Sequence, residues 1–330
     1  MRLIPKEIKE VKMVSGSSGV HSSILVCAVT LVLLVQVDGR RTSKRDVFSP
    51  KEFSLDMARS SFDDQYKGCS DVMEEEVEHL LKAELSMNKE LADAWKTAEF
   101  KWEHEKKRQV TLLKGFKDKY AIALLAYTIN GPLHKVFNEA VRDAGQSKQY
   151  YLKNFNFKAL HYYLTKAVQV IDSVETPACH NVFRGTRGVR FRAVNRSPIR
   201  FGQFTSSSMN DQNALQFGED TFFSINTCYG VSIRNFSFFP GEDEVLIPPY
   251  EKFKVTNFTK DGSRNVITLQ SLEKSSVYNC ELAKERRCKS RWCPFSAATR
   301  TRMQNPQEVT LMSSLLLFLS HLLGPGSLCT

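Results

Sequence analysis

Three short β-rich runs follow one another in residues 244–272, which read EVLIPPYEKFKVTNFTKDGSRNVITLQSL. The runs cover 244–247, 252–258 and 264–272, and proline, asparagine and glycine between them are typical of strands joined by turns. Four further β-rich runs come earlier, at 180–184, 200–205, 221–227 and 231–238. We find no helix-length segment between these seven runs, which excludes a doubly wound parallel sheet.

The chain before Pro177 has helical periodicity instead. Apolar residues recur three and four positions apart in two series, which are Leu133, Val136, Phe137, Ala140 and Val141, and Leu160, Leu164, Ala167, Val168 and Ile171. Residues 71–85, 88–109 and 118–129 are also predicted to be helical, and 88–109 has Glu and Lys at helix-pairing distances. The two halves together predict an α+β protein with a helical N-terminal region packed against antiparallel sheets.

The composition is that of an ordinary globular protein, with 42% hydrophobic and 25% charged residues among 330. This excludes a disordered or collagen-like chain. Lys and Arg outnumber Asp and Glu by 46 to 36, so the formal net charge is +10. A basic excess is found in proteins that bind nucleic acids or acidic surfaces. Here the cations form no long run, so we expect a soluble secreted protein with no nucleic-acid partner.

The N-terminus resembles a secretory signal peptide. Residues 24–35 are apolar except Thr30, and three lysines precede them. Val37 and Gly39 fit the −3 and −1 positions of a cleavage site with small residues. The apolar run is too short for a comfortable membrane span. We therefore predict a signal peptide over residues 1–39.

The C-terminus carries a second processing pattern. Residues 309–323 are mostly apolar, and no Lys or Arg follows them. Three small residues, 296–298, and a polar spacer, 299–307, precede this tail, which is the pattern of a GPI-anchor signal. The prediction is a propeptide over 297–330 and a protein attached to the outer leaflet of the plasma membrane. A single transmembrane helix and a secreted form that keeps the tail are the alternatives.

The mature chain, 40–296, is then a single domain, mainly helical in 40–176 and mainly β in 177–296. Its six cysteines are Cys69, Cys179, Cys228, Cys280, Cys288 and Cys293. An even number in a secreted chain predicts disulfides, although the spacing leaves the pairing open. Zinc is the alternative, but no second close Cys or His pair completes four ligands, so we expect no metal.

Two sequons bear on the same secretory route. Asn257-Phe258-Thr259 predicts glycosylation at Asn257. Asn235-Phe236-Ser237 lies in a strand-like run, where burial of the sequon is the alternative to glycosylation.

Polar groups suited to chemistry are found in the β-rich half, whereas the dinucleotide, phosphate-loop and HExxH motifs are missing from the sequence. The segment 182–185, VFRG, places an arginine at the end of an apolar strand, where its guanidinium could bind a phosphate. A strand-end arginine alone is more often a surface residue. The segment 204–208, FTSSS, is a hydroxyl cluster that could bind a polar ligand or form a turn.

A third feature is the acidic segment 241–248, GEDEVLIP. On a strand, Glu242 and Glu244 would point to the same side and Asp243 to the other. Two carboxylates on one face repel each other, which is costly unless a cation or a substrate uses them. A solvated acidic turn is the alternative, and the apolar run that follows makes a mere surface patch less favoured.

An arginine on one strand, F-x-S-x-S on the next and E-x-E on a later one form the R-S-E signature of ADP-ribosyltransferases. The chain resembles the vertebrate ecto-mono-ADP-ribosyltransferases of the arginine-specific, GPI-anchored type. Further matching segments are 62–66 (FDDQY), 125–128 (LAYT), 217–223 (FGEDTFF), 236–241 (FSFFPG) and 278–280 (YNC). The resemblance covers nearly the whole predicted mature chain. Asp243, where close relatives often have Glu, is a small departure.

The resemblance implies a helical N-terminal region on two antiparallel or mixed β-sheets, with the co-substrate NAD bound in the cleft between them. It implies a glycosyltransferase that moves ADP-ribose from NAD to arginine side chains of extracellular or membrane proteins and releases nicotinamide. We expect a monomer that works without a metal.

The resemblance also implies roles for single residues. Arg184 matches the arginine that holds the NAD phosphates, Ser206 the serine that supports the nicotinamide ribose, and Glu244 the catalytic glutamate. Glu242 matches the glutamate that the family links to arginine acceptors. The positions that contact NAD in relatives are Tyr127, Gln203, Ser237 and Phe217, the last as the ring that stacks on nicotinamide. The family's cysteine pairing implies the disulfides Cys69–Cys280 and Cys179–Cys228, and leaves Cys288 and Cys293 as a candidate extra pair.

The chemistry of these residue types agrees with that assignment. Cleavage of the nicotinamide–ribose bond is a glycosyl transfer through an oxocarbenium-like transition state. Glu244 can strengthen its hydrogen bond to the ribose as positive charge develops. Two rival hypotheses are an NAD glycohydrolase, in which water replaces the acceptor, and a catalytically silent, anchored binding protein on the same fold. The E-x-E pair disfavours the first, and the intact signature disfavours the second.

Overall fold

The computed structural model describes residues 50–174 and 179–289. The predicted signal peptide, the predicted propeptide and Cys293 lie outside the described residues. None of the helices in these two ranges combines the length and the hydrophobicity of a membrane span. In the same ranges, no group of three or more His, Cys, Asp or Glu side chains is arranged to hold a metal ion.

The described part contains eight α-helices, six of them before residue 175. They are α1 (Ser70–Met87), α2 (Lys89–Lys101), α3 (Asp118–Thr128), α4 (Leu133–Ala144), α5 (Lys148–Asn154), α6 (Lys158–Val174), α7 (Asp211–Gln216) and α8 (Glu281–Lys289). The helices predicted at 71–85 and 118–129 and the two apolar series are confirmed. The helix predicted over 88–109 is regular only to Lys101, because a π-helix, Trp102–Lys106, continues it.

Helix α3 forms the centre of the helical part, since its sequence, DKYAIALLAYT, is apolar on nearly all sides. Its residues 120–127 are all buried. Each fully buried Leu or Ile side chain contributes about 1.5–3 kcal/mol to stability. Helices α2 and α6 pack directly on α3, and α1 packs on both of them. The helical part therefore has a core of its own, built around α3.

Ten strands are present in the described part. They are β1 (Lys51–Ser54), β2 (His180–Thr186), β3 (Val189–Arg192), β4 (Pro198–Arg200), β5 (Thr205–Ser208), β6 (Thr221–Thr227), β7 (Val231–Ser232), β8 (Glu244–Ile247), β9 (Glu251–Asp261) and β10 (Arg264–Lys274). Strands β1 and β3 form a small parallel sheet, and the other eight form one sheet in the order β4-β9-β10-β6-β2-β5-β8-β7. In the larger sheet β10 and β6 are parallel and the remaining pairs antiparallel, so the predicted α+β class with a mixed sheet is confirmed.

Two predicted strands, 200–205 and 231–238, are wrong. In each, a residue packs against a segment that is distant in the sequence. Residues 201–204 cross from β4 to β5 rather than forming one strand, and Gly202 has φ +66. A Cβ at Gly202 would lie 2.3 Å from the hydroxyl of Ser61, so only glycine fits this crossing. In 231–238 the strand ends at Ser232, and a 3₁₀ helix, Arg234–Phe236, turns the ring of Phe236 into the helical core.

The eight-stranded sheet is nearly divided between β2 and β5. Strand β2 pairs with β6 along its whole length and β5 with β8 along its whole length, but β2 and β5 share the single pair Phe183–Ser208. Strand β8 is buried on both faces, since Leu246 packs into the helical core while Val245 and Ile247 pack into the core of the sheet. Beyond their one shared pair, β2 and β5 diverge and leave a cleft.

Covalent and ionic links join the two ends of the described chain. Cys69, before α1, is bonded to Cys280, before α8, and the second disulfide is Cys179–Cys228, so both implied pairings are present. Next to the first, the buried carboxylate of Asp63 pairs with Arg200 and accepts hydrogen bonds from the backbone N–H of Val277 and Tyr278. The segments FDDQY and YNC are therefore in contact, and together they link the two ends of the described chain.

Candidate active site

A cavity of about 360 Å³, including its open mouth, lies where β2 and β5 diverge. Its lining is contributed by β2, β5, α7 with its C-cap, the turn before β8 and the first residue of β8: Phe183, Arg184, Gly185, Ser206, Ser207, Ser208, Ala214, Phe217, Glu242 and Glu244. Five residues singled out in the sequence therefore meet at one place, namely Arg184, Ser206, Phe217, Glu242 and Glu244.

Arg184 is half-buried in β2 and donates a hydrogen bond to the carbonyl oxygen of Ser206 across the cleft. Burial lowers the pKa of Arg184, while Tyr127 and Glu244 act in the opposite direction. An arginine remains a cation in proteins even so. Gly185, which follows it, is required by packing, because a Cβ there would lie 2.3 Å from the carbonyl oxygen of Ala214. The cavity therefore has a fixed positive group on its β2 side.

Glu244 is the first residue of β8, and only 6% of it is exposed. Burial raises its pKa to about 7. Hydrogen bonds from Ser206 and Ser237 and the charge of Arg184 lower this pKa, whereas the nearby carboxylate of Glu242 raises it. The hydroxyl of Ser237 donates to the Glu244 carboxylate at 3.4 Å. Near neutral pH the carboxyl group of Glu244 is thus poised between its neutral and charged forms.

Glu242 is not on a strand, so the argument from strand alternation is wrong for the glutamate pair. It ends the 3₁₀ helix Pro240–Glu242, and Asp243 follows with φ 48, in the left-handed region. The two glutamates still line the same cavity, and burial raises the pKa of Glu242. Asp243 does have a different partner, since it forms an ion pair with Arg234 at 2.9 Å. The carboxylates of Glu242 and Glu244 are therefore brought together by a turn and not by alternation along a strand.

Tyr127 and Ser237 lie behind the lining and are both buried. The hydroxyl of Tyr127 donates to the carbonyl oxygen of Phe204 at 2.9 Å and accepts from the side-chain amide of Asn138 at 3.1 Å. Burial raises the pKa of Tyr127. Tyr127 thus holds the residue that precedes β5, and Ser237 donates a hydrogen bond to the carboxylate of Glu244.

Other predicted residues lie apart from this cavity. Gln203 is outside the lining, and its side-chain oxygen accepts a hydrogen bond from Arg142 of α4. Asn257 is exposed on β9. Asn235 is also exposed, whereas Phe236 and Ser237 of the same sequon are buried.

Helix α7 was missed by the sequence analysis although it contributes Ala214 to the cavity. Its six residues are too few for a periodic pattern. The available signal was Asn210, a residue type favoured at helix N-caps, whose side-chain oxygen accepts from the N–H groups of Gln212 and Asn213.

The groups of the cavity determine which chemistry the site can support. It combines a guanidinium, serine hydroxyls, an aromatic ring that is 55% exposed at Phe217, and two carboxylates in a partly dry cleft. The cation and hydroxyls suit a phosphorylated ligand, and the ring suits an aromatic base. Two carboxylates with raised pKa values suit general acid–base chemistry on a glycosidic bond.

Comparison with known proteins places the chain among enzymes of this kind. Residues 55–277 match the sequence profile of a family described as NAD:arginine ADP-ribosyltransferase. The erythroblast NAD(P)(+)–arginine ADP-ribosyltransferase of Gallus gallus is 48% identical over 275 residues, which cover 83% of this chain and 91% of the relative. The GPI-linked NAD(P)(+)–arginine ADP-ribosyltransferase 1 of Homo sapiens is 43% identical over 325 residues, covering 93% and 98%.

A solved structure agrees with these sequence matches. A mutant of the eukaryotic mono-ADP-ribosyltransferase ART2.2, crystallised in complex with NAD, aligns with a TM-score of 0.61 and 40% identity. The alignment covers 69% of this chain and 98% of that one. The profile match, the two relatives and the shared fold lead to one conclusion: the chain belongs to the NAD:arginine ADP-ribosyltransferase family.

Proposed function

We propose that this protein transfers ADP-ribose from NAD to arginine side chains of extracellular or cell-surface proteins and releases nicotinamide. The observation that carries the proposal is the meeting of Arg184, Ser206, Glu242 and Glu244 at one cavity, in a family whose members are named for this reaction. NADP is a second donor to test, because the names of the relatives include it.

The residues of the cavity fit NAD by their chemistry. Arg184 provides the cation for the diphosphate, and its place within β2 is set by the packing around the next residue, Gly185. Phe217 provides an exposed ring for the nicotinamide, and Ser206 provides a hydroxyl for the ribose. Tyr127 and Ser237 do not line the cavity, but their hydroxyl groups donate hydrogen bonds that hold Phe204 and Glu244 in place. For Gln203 the support is the family resemblance alone.

NAD supplies a ribose–nicotinamide bond with a good leaving group, so positioning and electrostatics are the tasks of the protein. Glu244 holds a carboxylate in a partly dry cleft, where its attraction for developing positive charge on the ribose is stronger than in water. Glu242 binds the acceptor guanidinium, which is a poor nucleophile while charged, and takes its proton as the new carbon–nitrogen bond forms.

The test is incubation of the purified protein with labelled NAD and agmatine, a small guanidinium acceptor. We expect ADP-ribosylagmatine as the main product, together with some free ADP-ribose. Free ADP-ribose alone would identify a glycohydrolase. Binding of NAD without either product would identify a silent member of the family.

The placement of the protein is a further part of the proposal. Residues 1–39 act as a signal peptide, 40–296 as a single catalytic domain, and 297–330 as the propeptide of a GPI anchor. The GPI-linked relatives support this, and the exposed side chain of Asn257 is available to carry a glycan. Phosphatidylinositol-specific phospholipase C should release the activity from intact cells. Activity that stays on the membrane while a control GPI protein is freed would contradict the anchor.

A further inference from the structure

The turn that carries Glu242 has little regular structure of its own. It consists of the 3₁₀ helix Pro240–Glu242 and of Asp243, whose φ of 48 is uncommon for a residue other than glycine. Within the turn, the N–H of Glu242 donates to the carbonyl of Phe239, and the N–H of Asp243 donates to that of Pro240. The carbonyl groups of residues 241–243 accept neither of these two bonds, so their partners come from other segments.

Three consecutive carbonyl oxygens of this turn accept hydrogen bonds from residues 208–213, which lead from β5 into α7. The side-chain amide of Asn213 donates to Gly241 at 3.0 Å, and the hydroxyl of Ser208 donates to Glu242 at 2.6 Å. The backbone N–H of Met209 donates to Asp243 at 3.1 Å. Asn213 is the donor that belongs to α7.

Helix α7 is itself fixed to the opposite side of the cavity. Asn210 caps its N-terminus through two backbone N–H groups. Ala214 lies so close to Gly185 of β2 that no side chain fits between them. Phe217, at the C-cap of α7, lines the cavity. The helix therefore connects the turn that carries Glu242 with the strand that carries Arg184.

We propose that Asn213 is a positioning residue that holds Glu242 in place for the arginine acceptor. The proposal rests on the proposed function and assigns a new residue to the acceptor side of that site. Asn213 donates to the carbonyl of Gly241, directly before Glu242, so loss of this bond removes one of the three hydrogen bonds that residues 208–213 donate to the carbonyl groups of the turn.

Glu244 is held by other contacts and should be little affected. It lies in the β8 ladder opposite Ser208, and its carbonyl accepts a hydrogen bond from the N–H of Ile233 at 3.0 Å. Its carboxylate accepts a hydrogen bond from the hydroxyl of Ser237 at 3.4 Å. Loosening the turn at Gly241 therefore displaces Glu242 more than Glu244. Transfer to arginine should fall while cleavage of NAD by water continues.

The experiment compares Asn213→Ala and Asn213→Asp with the unaltered protein, measuring ADP-ribosylagmatine and free ADP-ribose in the same reactions. Asn213→Ala should lower kcat/KM for agmatine about 3- to 10-fold, as for one lost neutral hydrogen bond. The change should come from KM for agmatine, with KM for NAD and hydrolysis changed less than about twofold. Asn213→Asp should lower transfer further, because it places a carboxylate oxygen against the carbonyl of Gly241.

The matched control is Gln212→Ala, at the neighbouring exposed position of α7, which should keep both activities. A thermal denaturation curve for each variant establishes that it is folded. Equal loss of transfer and hydrolysis in folded Asn213→Ala would overturn the proposal, because α7 would then support the cavity as a whole. No change in either activity would overturn it as well. Failure of the proposed function is distinct, since the unaltered protein would then make no ADP-ribosylagmatine.

Discussion

Two buried glutamates, Glu84 in the helical part and Glu244 in the β part, have similar acidity in very different surroundings. They are 3% and 6% exposed, and burial raises the pKa of each to about 7. Glu84, on α1, accepts hydrogen bonds from the backbone N–H groups of Lys158 and Ala159 at 2.6 and 3.1 Å. Glu244 is held by serine hydroxyls and faces an open cavity.

The difference lies in what remains free around each carboxylate. The carboxylate of Glu84 is bound by backbone N–H groups in the first turn of α6. There, the helix dipole and the nearby cation of Lys158 favour the charged form of this carboxylate. Glu244 shares its cavity with a like charge, Glu242, and a cation, Arg184, so a ligand can change its surroundings. A raised pKa alone therefore does not identify a functional carboxylate, but a raised pKa beside an open cavity does so far better.

The largest expected effect is that of Glu244→Gln, which keeps the shape of the side chain but removes the charge. We expect both transfer and NAD hydrolysis to fall by roughly 10²–10³-fold, as for other lost electrostatic contacts to a transition state. The measurement is the rate of formation of ADP-ribosylagmatine and of free ADP-ribose. Full transfer activity in this variant would mean that the site has been assigned wrongly.

Glu242→Gln should separate the two activities. Losing a charged hydrogen bond to the acceptor guanidinium should lower transfer to agmatine about 10- to 100-fold. Hydrolysis should fall far less, since the charge of Glu244 is still present. Both products are measured from the same reactions as for Glu244→Gln. If they fall equally, the two glutamates do not divide the work between acceptor and donor.

Glu84→Gln should leave transfer within about twofold but change how stability depends on pH. The folded pKa of Glu84 is raised from 4.5 to about 7, so its contribution to stability is complete below pH 4.5 and is lost as pH rises through 7. Removing the titrating group should make this loss roughly 1–3 kcal/mol smaller, measured by urea denaturation at pH 4.5 and pH 8.

Glu244→Gln should reduce the same pH dependence by a similar amount, because its folded pKa is raised in the same way. Glu84→Gln and Glu244→Gln should therefore show a similar pH dependence of the free energy of unfolding but differ in transferase activity. A loss of transfer in folded Glu84→Gln would break the contrast between a structural and a functional carboxylate.

The smallest expected effect is a shift in the pH profile of hydrolysis. If the ionised form of Glu244 is the active one, kcat/KM for NAD should rise with pH through about 7 and then level off. The carboxylate of Glu242 raises the pKa of Glu244, so Glu242→Gln should move the midpoint to lower pH, by less than about one unit. A midpoint that stays in place would show that the two carboxylates are not coupled.

Much of the fold could be predicted from the sequence, because the evidence for it is local. The apolar residues of α4 and α6 repeat at helical spacing, and β6 and β8 are short β-rich runs bounded by turn residues. The polar residues of the cavity could be named for the same reason, since each belongs to a short segment of characteristic order. The α+β class, the family and the candidate residues Arg184, Ser206 and Glu244 therefore follow from local patterns in the sequence.

How these segments meet follows from contacts between residues that are distant in the sequence. Phe236 leaves the sheet because it packs on Trp102 and Phe116, more than a hundred residues earlier. Gly202 turns the chain because Ser61 occupies the space beside it. Glu242 reaches the cavity through a turn held by residues 208–213, and Glu244 acquires its pKa by burial. Burial and contact depend on residues far apart in the chain, which no local pattern contains.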